Sequence, residues 1–371
     1  MEYALNVAPD AAKTDVHLCA RRMNTHEHHM RRCLRLARNG AGQVAPNPMV
    51  GALLVQGERV IAEGWHHTYG GPHAEVECLR AFGDGPVPPD AVMYVNLEPC
   101  SHHGKTPPCV DLLITRGVKR LVVGCEDPNP LVKGQGITRA REAGIDVITD
   151  VLRDESRWLN RRFIHSIEQQ RPYIILKWAR SADGYLDDHG RTVRISSAET
   201  DVLVHRWRSE EQAIMAGSRT VINDDPSLTV RHVEGKNPMR VVIDRKNMTA
   251  STSKVFDGTA PTLLLTTTRR KDIPVEQQLV GPNDDPLNAM LEELQRRTVR
   301  SVLVEGGAEL LGHFLSRGLW DEVRMISGEA LFGGGTQAPA LDRDPVRTMM
   351  SGPDRIDYFT NGTPVADTWA W

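Results

Sequence analysis

No apolar run in this chain approaches the roughly 20 residues needed to span a bilayer. The opening MEYALNVAPDAAKTD has neither the basic start nor the hydrophobic stretch of a secretion signal. The expectation is a cytoplasmic protein. The formal net charge is only −3 over 371 residues, which gives no general attraction to nucleic acid or to an anionic membrane. Cysteine is absent beyond Cys125, and no C-x-x-C pair occurs anywhere. The paired ligands of a closed structural zinc site are therefore missing, and in a reducing compartment the thiols stand free or bind metal. The dinucleotide fingerprint G-x-G-x-x-G is also absent.

The composition, 40% hydrophobic and 25% charged, is that of a soluble globular protein, and the length suits two domains that each bury a core. One constellation carries chemistry: His73-Ala74-Glu75 in GPHAEVEC, then Pro99-Cys100, then Cys109. An imidazole and two thiolates hold zinc with a fourth position open to water, whose pKa the metal lowers to roughly 7. A carboxylate two residues after the histidine can carry protons to and from the reacting groups, the role expected of Glu75. H-x-E with a later P-C pair is the known signature of zinc deaminases. Eight residues, SHHGKTPP, separate the two cysteines where two are usual, which puts extra groups at the rim. A lone H-x-E is commonly an exposed polar pair and a lone cysteine a small buried hydrophobe. The ordered set is harder to dismiss.

The other cysteines read as core: Cys33 and Cys78 lie on apolar helical stripes, Cys125 ends the strand-like RLVVGC, and Cys19 sits in an uninformative tail. A capping-box-like start at Asn24 and Glu27 opens a helix carrying Met30, Cys33, Leu34 and Ala37, with Gly40 as its stop. The histidines of THEHH, residues 25 to 29, then fall in a solvated first turn. VGALLVQ and RVIAEGW form a hairpin about Gly57-Glu58, and AVMYVNL and RLVVGCE are further strands. Pro72 suits the first turn of a helix carrying His73, Glu75 and Cys78. The result is a sheet covered by helices. His66 and His67, just before that helix, read equally well as a substrate contact or as surface.

APNPMVGALLV, GWHHTYGGPHAEVECL, NLEPCSHHGKTPPCVDLLI and VGCEDPNP together resemble the deaminase half of the bifunctional riboflavin-biosynthesis deaminase/reductase family. The resemblance implies a cytidine-deaminase-like α/β/α layer domain over about 25–168 with one zinc on His73, Cys100 and Cys109. It also implies substrate contacts from Asn47, His66, His102 and Lys105. Nucleic-acid deaminases share the zinc core but not the long insertion or the DPNP run.

RWLNRRFIHSIEQQRPY is a polar helical stretch ending at Arg171-Pro172, where a second domain, 172–371, is expected to begin. YIILKW, EQAIMAG, MRVVID, PTLLLTT, VRSVLVEGG and WDEVRMIS alternate with helical segments over 198–207, 288–297 and 309–316, the pattern of a predominantly parallel sheet. Gly306-Gly307 follows a strand and precedes a helix, a place for phosphate on backbone amides. Gly333-Gly334-Gly335 reads as a turn.

LKWARSADGY, HRWRSEEQAIMAGSRTVINDDPSLTVR, LVEGGAELLGHFL and ALFGGG resemble the same family's reductase, of dihydrofolate-reductase-like α/β fold with NADPH as hydride donor. Carried over by position, Ala179, Arg194, Thr220 and Asp224 face the cofactor, with Gly307, Ala308, Glu309, Leu310, Leu311, Gly312 and His313 beneath its phosphates. Lys177, Thr192, Arg208, Leu228, Arg231 and Glu305 hold substrate, and the forks of Arg208 and Arg231 suit a sugar phosphate. Arg194 stands where relatives usually carry tryptophan, and Arg245 where a small hydroxyl residue is common.

The reading is a bifunctional enzyme acting on a small pyrimidine ribosyl phosphate, self-associating through the reductase domain, with no nucleic-acid or membrane partner. The competing class is a nucleoside or tRNA deaminase with a non-catalytic second half. A second half that binds ligand without reducing it is a further alternative.

Overall fold

The computed structural model describes residues 11–102, 107–130 and 132–362, with side chains from Thr25 onward. Two compact units emerge, one of Met1–Gly40 and Met49–Leu159, the other of Ala41–Pro48 and Asn160–Ala370. Among the described residues no helix is long and apolar enough to cross a membrane.

The first unit runs α1 (Ala11–Arg38), β1 (Gly51–Gln56), β2 (Arg59–Trp65), α2 (Ala74–Phe82), β3 (Ala91–Leu97), α3 (Cys109–Thr115), β4 (Arg120–Cys125), α4 (Gln135–Glu142), β5 (Asp146–Ile148) and α5 (Arg153–Leu159). Its sheet has the order β2-β1-β3-β4-β5, antiparallel through β1 and parallel from β3 onward. Strand alternation divides the core. Leu54, Met93, Val95, Leu121 and Val123 pack with α2, α3 and α4, while Leu53, Val55, Tyr94 and Val122 pack with Met30 and Cys33 of α1. The expected α/β/α layering results. Cys33, Cys78 and Cys125 are buried as read from the sequence.

Three local expectations change. The first helix begins at Ala11 instead of Asn24 and runs through the histidine stretch. His26 and His29 therefore lie on the Tyr94 side of that helix, His26 Nδ1 being 2.9 Å from the Tyr94 hydroxyl and His29 nearly buried, and not in a solvated first turn. Helix α2 starts after His73, so Pro72 precedes the helix instead of opening it.

The second unit runs α6 (Arg161–Glu168), β6 (Tyr173–Arg180), α7 (Ala198–Glu210), β7 (Ala213–Gly217), α8 (Ser218–Asp224), β8 (Met239–Ile243), β9 (Thr262–Thr266), β10 (Glu276–Leu279), α9 (Pro286–Arg296), β11 (Ser301–Val304), α10 (Ala308–Ser316), β12 (Glu322–Ser327), β13 (Arg347–Ser351) and β14 (Asp354–Thr360). The sheet order is β10-β9-β8-β7-β11-β6-β12-β14-β13, parallel except at β14 and β13. Helices α9 and α10 cover one face, α7 and α8 the other.

The compact units divide at Leu159/Asn160, earlier than the expected break after residue 168, because ion pairs anchor α6 to the second sheet. Arg161 Nη2 lies 3.1 Å from Glu322, and both nitrogens of the Arg162 fork bond Glu211. Arg324 lies 2.7 Å from Glu322 and stacks over Trp207 with its guanidinium carbon 4.9 Å from the ring centre. These groups gather where β6, β7 and β12 begin. The opposite rim, where the parallel strands end, is left for chemistry, as is usual in such sheets.

Candidate active sites

In the first unit, β3 ends at Leu97, and Glu98-Pro99-Cys100 follow directly. Cys109 is the first residue of α3, and His73 is the N-cap of α2 with no side-chain capping bond, so its imidazole is not spent on the helix. Three element ends thus bring together three donor atoms, all within 4.8 Å of one another. Cys100 Sγ is 3.6 Å and Cys109 Sγ 3.3 Å from His73 Nδ1. Tetrahedral zinc with ordinary Zn–S and Zn–N bonds separates such atoms by about 3.5 Å. The residues fit the metal, with Nδ1 as the ligating nitrogen. The Cys109 amide also donates to Cys100 Sγ at 3.2 Å, stabilising thiolate. Hydrogen bonds from Cys109 and His73 pull the Cys100 thiol down to about 4, while the bond to Cys100 and burial push the Cys109 thiol up.

Glu75 lies in the first turn of α2, fully enclosed. Burial, reinforced by the Cys100 thiolate, pushes its carboxyl up to about 7. A bound dication opposes that rise.

His66 is buried, its ring 5.5 Å from that of His73, and its Nδ1 lies 2.8 Å from the Pro72 carbonyl. A carbonyl can only accept, so Nδ1 carries the hydrogen. Burial lowers the His66 pKa, which keeps the ring neutral with Nε2 as an acceptor. His67 instead stacks on Trp65. His102 is exposed beside Asp127, whose carboxyl burial raises to about 6. Lys105 lies outside the described residues. Asn47 belongs to the Ala41–Pro48 segment, which groups with the second unit.

In the second unit, parallel pairing sets the site. Val304 of β11 pairs with Leu176 of β6, so Lys177 and Glu305 are the next residues on neighbouring strands. Lys177 Nζ lies 3.4 Å from Glu305 Oε2. Arg208 of α7 bonds the same carboxylate with Nε at 2.7 Å and Nη2 at 2.8 Å, and its Nη1 donates to the Thr229 carbonyl at 3.2 Å. Burial by itself raises the Glu305 carboxyl, but Arg208 and Lys177 outweigh it and hold it well below the usual carboxylate range. The Arg208 fork, read from sequence as suited to a phosphate, is committed to Glu305 and Thr229.

Arg231 differs. It is exposed, with one side-chain bond, 3.1 Å to Thr229 Oγ1. Its amide donates to His205 Nδ1 at 2.8 Å, one helical turn before Arg208 on α7. Leu228 is buried at a left-handed turn with φ 52°. His205 and Thr229 were not singled out from sequence, although the His205/Arg208 spacing puts both on one helix face.

Thr220 Oγ1 accepts from the Gly307 amide at 2.9 Å, joining α8 to the start of α10. Gly307 caps α10 without a side chain, leaving first-turn amides for an anion. A Cβ on Gly307 would come within 3.4 Å of Thr220 Oγ1, and one on Gly306 within 2.9 Å of Leu310. The contact at Gly307 is of ordinary length and that at Gly306 is with a side chain of α10 itself; it is the first-turn amides of α10 that fit a dinucleotide phosphate. Ala308 and Gly312 border the same turn, Leu311 is core and Leu310 packs on it, Glu309 pairs with Arg219 at 3.1 Å, and His313 is exposed. Thr192 bonds Asp224 at 2.7 Å. Ala179 is on β6 opposite Ile326. Arg194, expected to face the cofactor, is exposed and pairs with Asp201 at 2.6 Å. Arg245 reaches the Pro282 carbonyl at 2.9 Å.

Residues 23–125 match the cytidine and deoxycytidylate deaminase zinc-binding region, and residues 172–352 match the RibD C-terminal domain. The chain is 39% identical over 326 residues to riboflavin biosynthesis protein RibD of Bacillus amyloliquefaciens, covering 85% of this chain and 87% of that one. It is 36% identical over 326 residues to its Escherichia coli (strain K12) counterpart, covering 83% and 88%. A diaminohydroxyphosphoribosylaminopyrimidine deaminase/5-amino-6-(5-phosphoribosylamino)uracil reductase from Thermotoga maritima superposes with TM-score 0.84 at 35% identity, over 91% of this chain and 99% of that chain.

Proposed function

The chain belongs to the bifunctional riboflavin-biosynthesis deaminase/reductase family, and from that premise we propose which of its residues perform the two reactions. The enzyme deaminates 2,5-diamino-6-ribosylamino-4(3H)-pyrimidinone 5′-phosphate and reduces its ribosyl group to ribityl, using zinc and NADPH. The nucleoside or tRNA alternative is not favoured.

The observation that carries the first assignment is the His73/Cys100/Cys109 cluster with Glu75 enclosed two residues after His73, in the first turn of α2. Zinc, when bound there, supplies a Lewis-acidic open position that brings the pKa of water toward 7. Glu75 takes one proton of the attacking water on a carboxylate oxygen and passes it to the ring nitrogen, then takes the remaining proton of the added hydroxyl and passes it to the departing amine, so that a carbonyl forms at C2 and the amine leaves as ammonia. His66 Nε2 accepts a hydrogen bond from the substrate. Asn47, His102 and Lys105 complete its recognition, on the strength of the family resemblance alone.

In the second unit NADPH, when bound, supplies the hydride that reaches C1′ of the ring-opened imine. Thr220, Asp224 and the amides that begin α10 hold the cofactor. Lys177, buried against Glu305, is the cation nearest the reacting arm, and Glu305 orients it together with Arg208. Arg231, exposed and lightly bonded, takes the substrate phosphate. Thr192 and Leu228 shape the same rim. Positioning and charge complementarity supply most of the catalysis. Arg194 stabilises the start of α7 through Asp201 instead of stacking on the cofactor.

The protein is also proposed to be cytoplasmic and to self-associate through the reductase domain. Sedimentation of the full chain and of a chain lacking residues 172–371 tests the second point. A coupled assay of ammonia release and NADPH oxidation on one substrate tests the whole reading. Deamination of free cytidine or an RNA hairpin, without turnover of the pyrimidinone phosphate, would refute it.

A further inference from the structure

Glu98 is an acid at the end of β3 with only 4% of its surface exposed. Among the described residues no cation bonds this carboxylate. Instead, four backbone N–H groups converge on its two oxygens: Asp127 at 3.2 Å and Gly134 at 2.9 Å on Oε2, Gly136 at 2.9 Å and Ile137 at 3.2 Å on Oε1. Amide dipoles, including those opening α4, replace the solvation that burial removes. Its own amide donates to the Cys125 carbonyl at 2.9 Å, closing the junction between β3 and β4.

Two residues further on is Cys100. A Cβ on Gly136 would lie 2.1 Å from the Pro99 carbonyl oxygen, so α4 packs directly on the peptide that leads into Cys100. On its other side, Cys100 is held through its carbonyl by Val110 and through its sulfur by the Cys109 amide, each at 3.2 Å. The strand end bearing Cys100 is thus clamped between α3 and α4, and Glu98 is the fastening on the α4 side.

We propose that Glu98 is a positioning residue for the deaminase metal site, fixing Cys100 and the Asp127 loop against α4 through its four amide bonds. The inference rests on the reading of Cys100 as a zinc ligand. An acid is required at this position, because a carboxylate has acceptors on both oxygens. An amide of the same shape presents its NH2 to two of the four donors and leaves them unpaired.

The test compares full-length zinc-loaded wild type, Glu98→Gln and Cys100→Ser, timing zinc release to a chromogenic chelator well below the melting temperature. NADPH oxidation on pre-deaminated substrate serves as the control for the second unit. Glu98→Gln is expected to release zinc roughly 10–100 times faster, the usual scale for partners of metal ligands, with NADPH oxidation unchanged. Where Glu98→Gln fails to accumulate, Gly136→Ala carries the same expectation, since its methyl would crowd both the Pro99 carbonyl oxygen at 2.1 Å and Glu98 Oε1 at 3.2 Å and so loosen the same clamp. Wild-type release from the folded variant, even with a lowered melting temperature, reduces Glu98 to a helix cap and overturns the proposal. Tight zinc retention by Cys100→Ser overturns the ligand reading, and this inference with it.

Discussion

Arg208 grips Glu305 with two nitrogens of one fork, at 2.7 and 2.8 Å, and both side chains are nearly enclosed. Rupture of the pair strands a nearly enclosed carboxylate whose remaining cation, Lys177, is 3.4 Å away. Arg208→Ala is expected to cost the second unit about 3–5 kcal/mol. Arg208→Lys keeps the charge and loses the fork, lowering reduction by roughly 10–100-fold, the worth of a charged hydrogen bond. Ammonia release by the same chain should continue in both. Equal loss of the two activities would contradict independent sites.

Arg231→Ala should raise the KM of reduction by roughly 10–100-fold with a smaller change in kcat, because among the described residues its exposed guanidinium bonds Thr229 Oγ1 alone. Steady-state kinetics with the phosphorylated substrate and with its dephosphorylated analogue check this. The variant and wild type should differ little on the analogue. A fall confined to kcat would remove Arg231 from phosphate binding.

Glu75→Gln preserves shape and removes the proton carrier without removing a ligand. Ammonia release should fall about 10²–10⁴-fold, while metal analysis still finds one zinc per chain. Loss of zinc from the variant would make Glu75 structural.

The second unit should lose stability in acid. Burial raises the Glu322 carboxyl, but Arg324, Arg161 and Arg162 overcome this and hold it at about 2; Glu211, paired with Arg162, and Glu305 are likewise held low. Carboxyls depressed in the folded state contribute stability that is present above their unfolded pKa, near 4.3, and lost as pH falls toward the folded value. Hydrogen exchange of β6 and β12 peptides should therefore be level from neutrality to about pH 5 and lose protection between there and about pH 2. Unchanged protection at pH 2 would show that these ion pairs contribute nothing net.

Much of this was legible in the chain. The hairpin about Gly57-Glu58 and the short apolar runs located β1, β3 and β4 to within a residue, and further apolar runs located the strands of the parallel sheet except β10, whose EQQL carries no apolar signal. The zinc set was legible because ligand chemistry restricts residue types. What escaped notice is tertiary. Glu98 reads in sequence as one more polar residue before a proline, and only the folded α4 aims four amides at it. Likewise Arg208 and Arg231 look alike as sequence, and enclosure by Glu305 separates a support from a phosphate contact. β13 and β14 were missed because their polar alternation at the sheet's far edge lacks a continuous apolar signal. The start of α1 was misplaced because capping residues at Asn24 also occur inside helices.

The sulfurs of Cys100 and Cys109 are placed by the end of β3 and the start of α3, and zinc deaminases in which two residues stand between the cysteines share the metal set. Metal geometry and loop length are thereby uncoupled. A connection of two residues or of eight can close the same tetrahedron, so this stretch is a natural graft point. New recognition groups can be spliced in, or removed, without the catalytic machinery registering the change, and substrate choice can drift while the metal stays put.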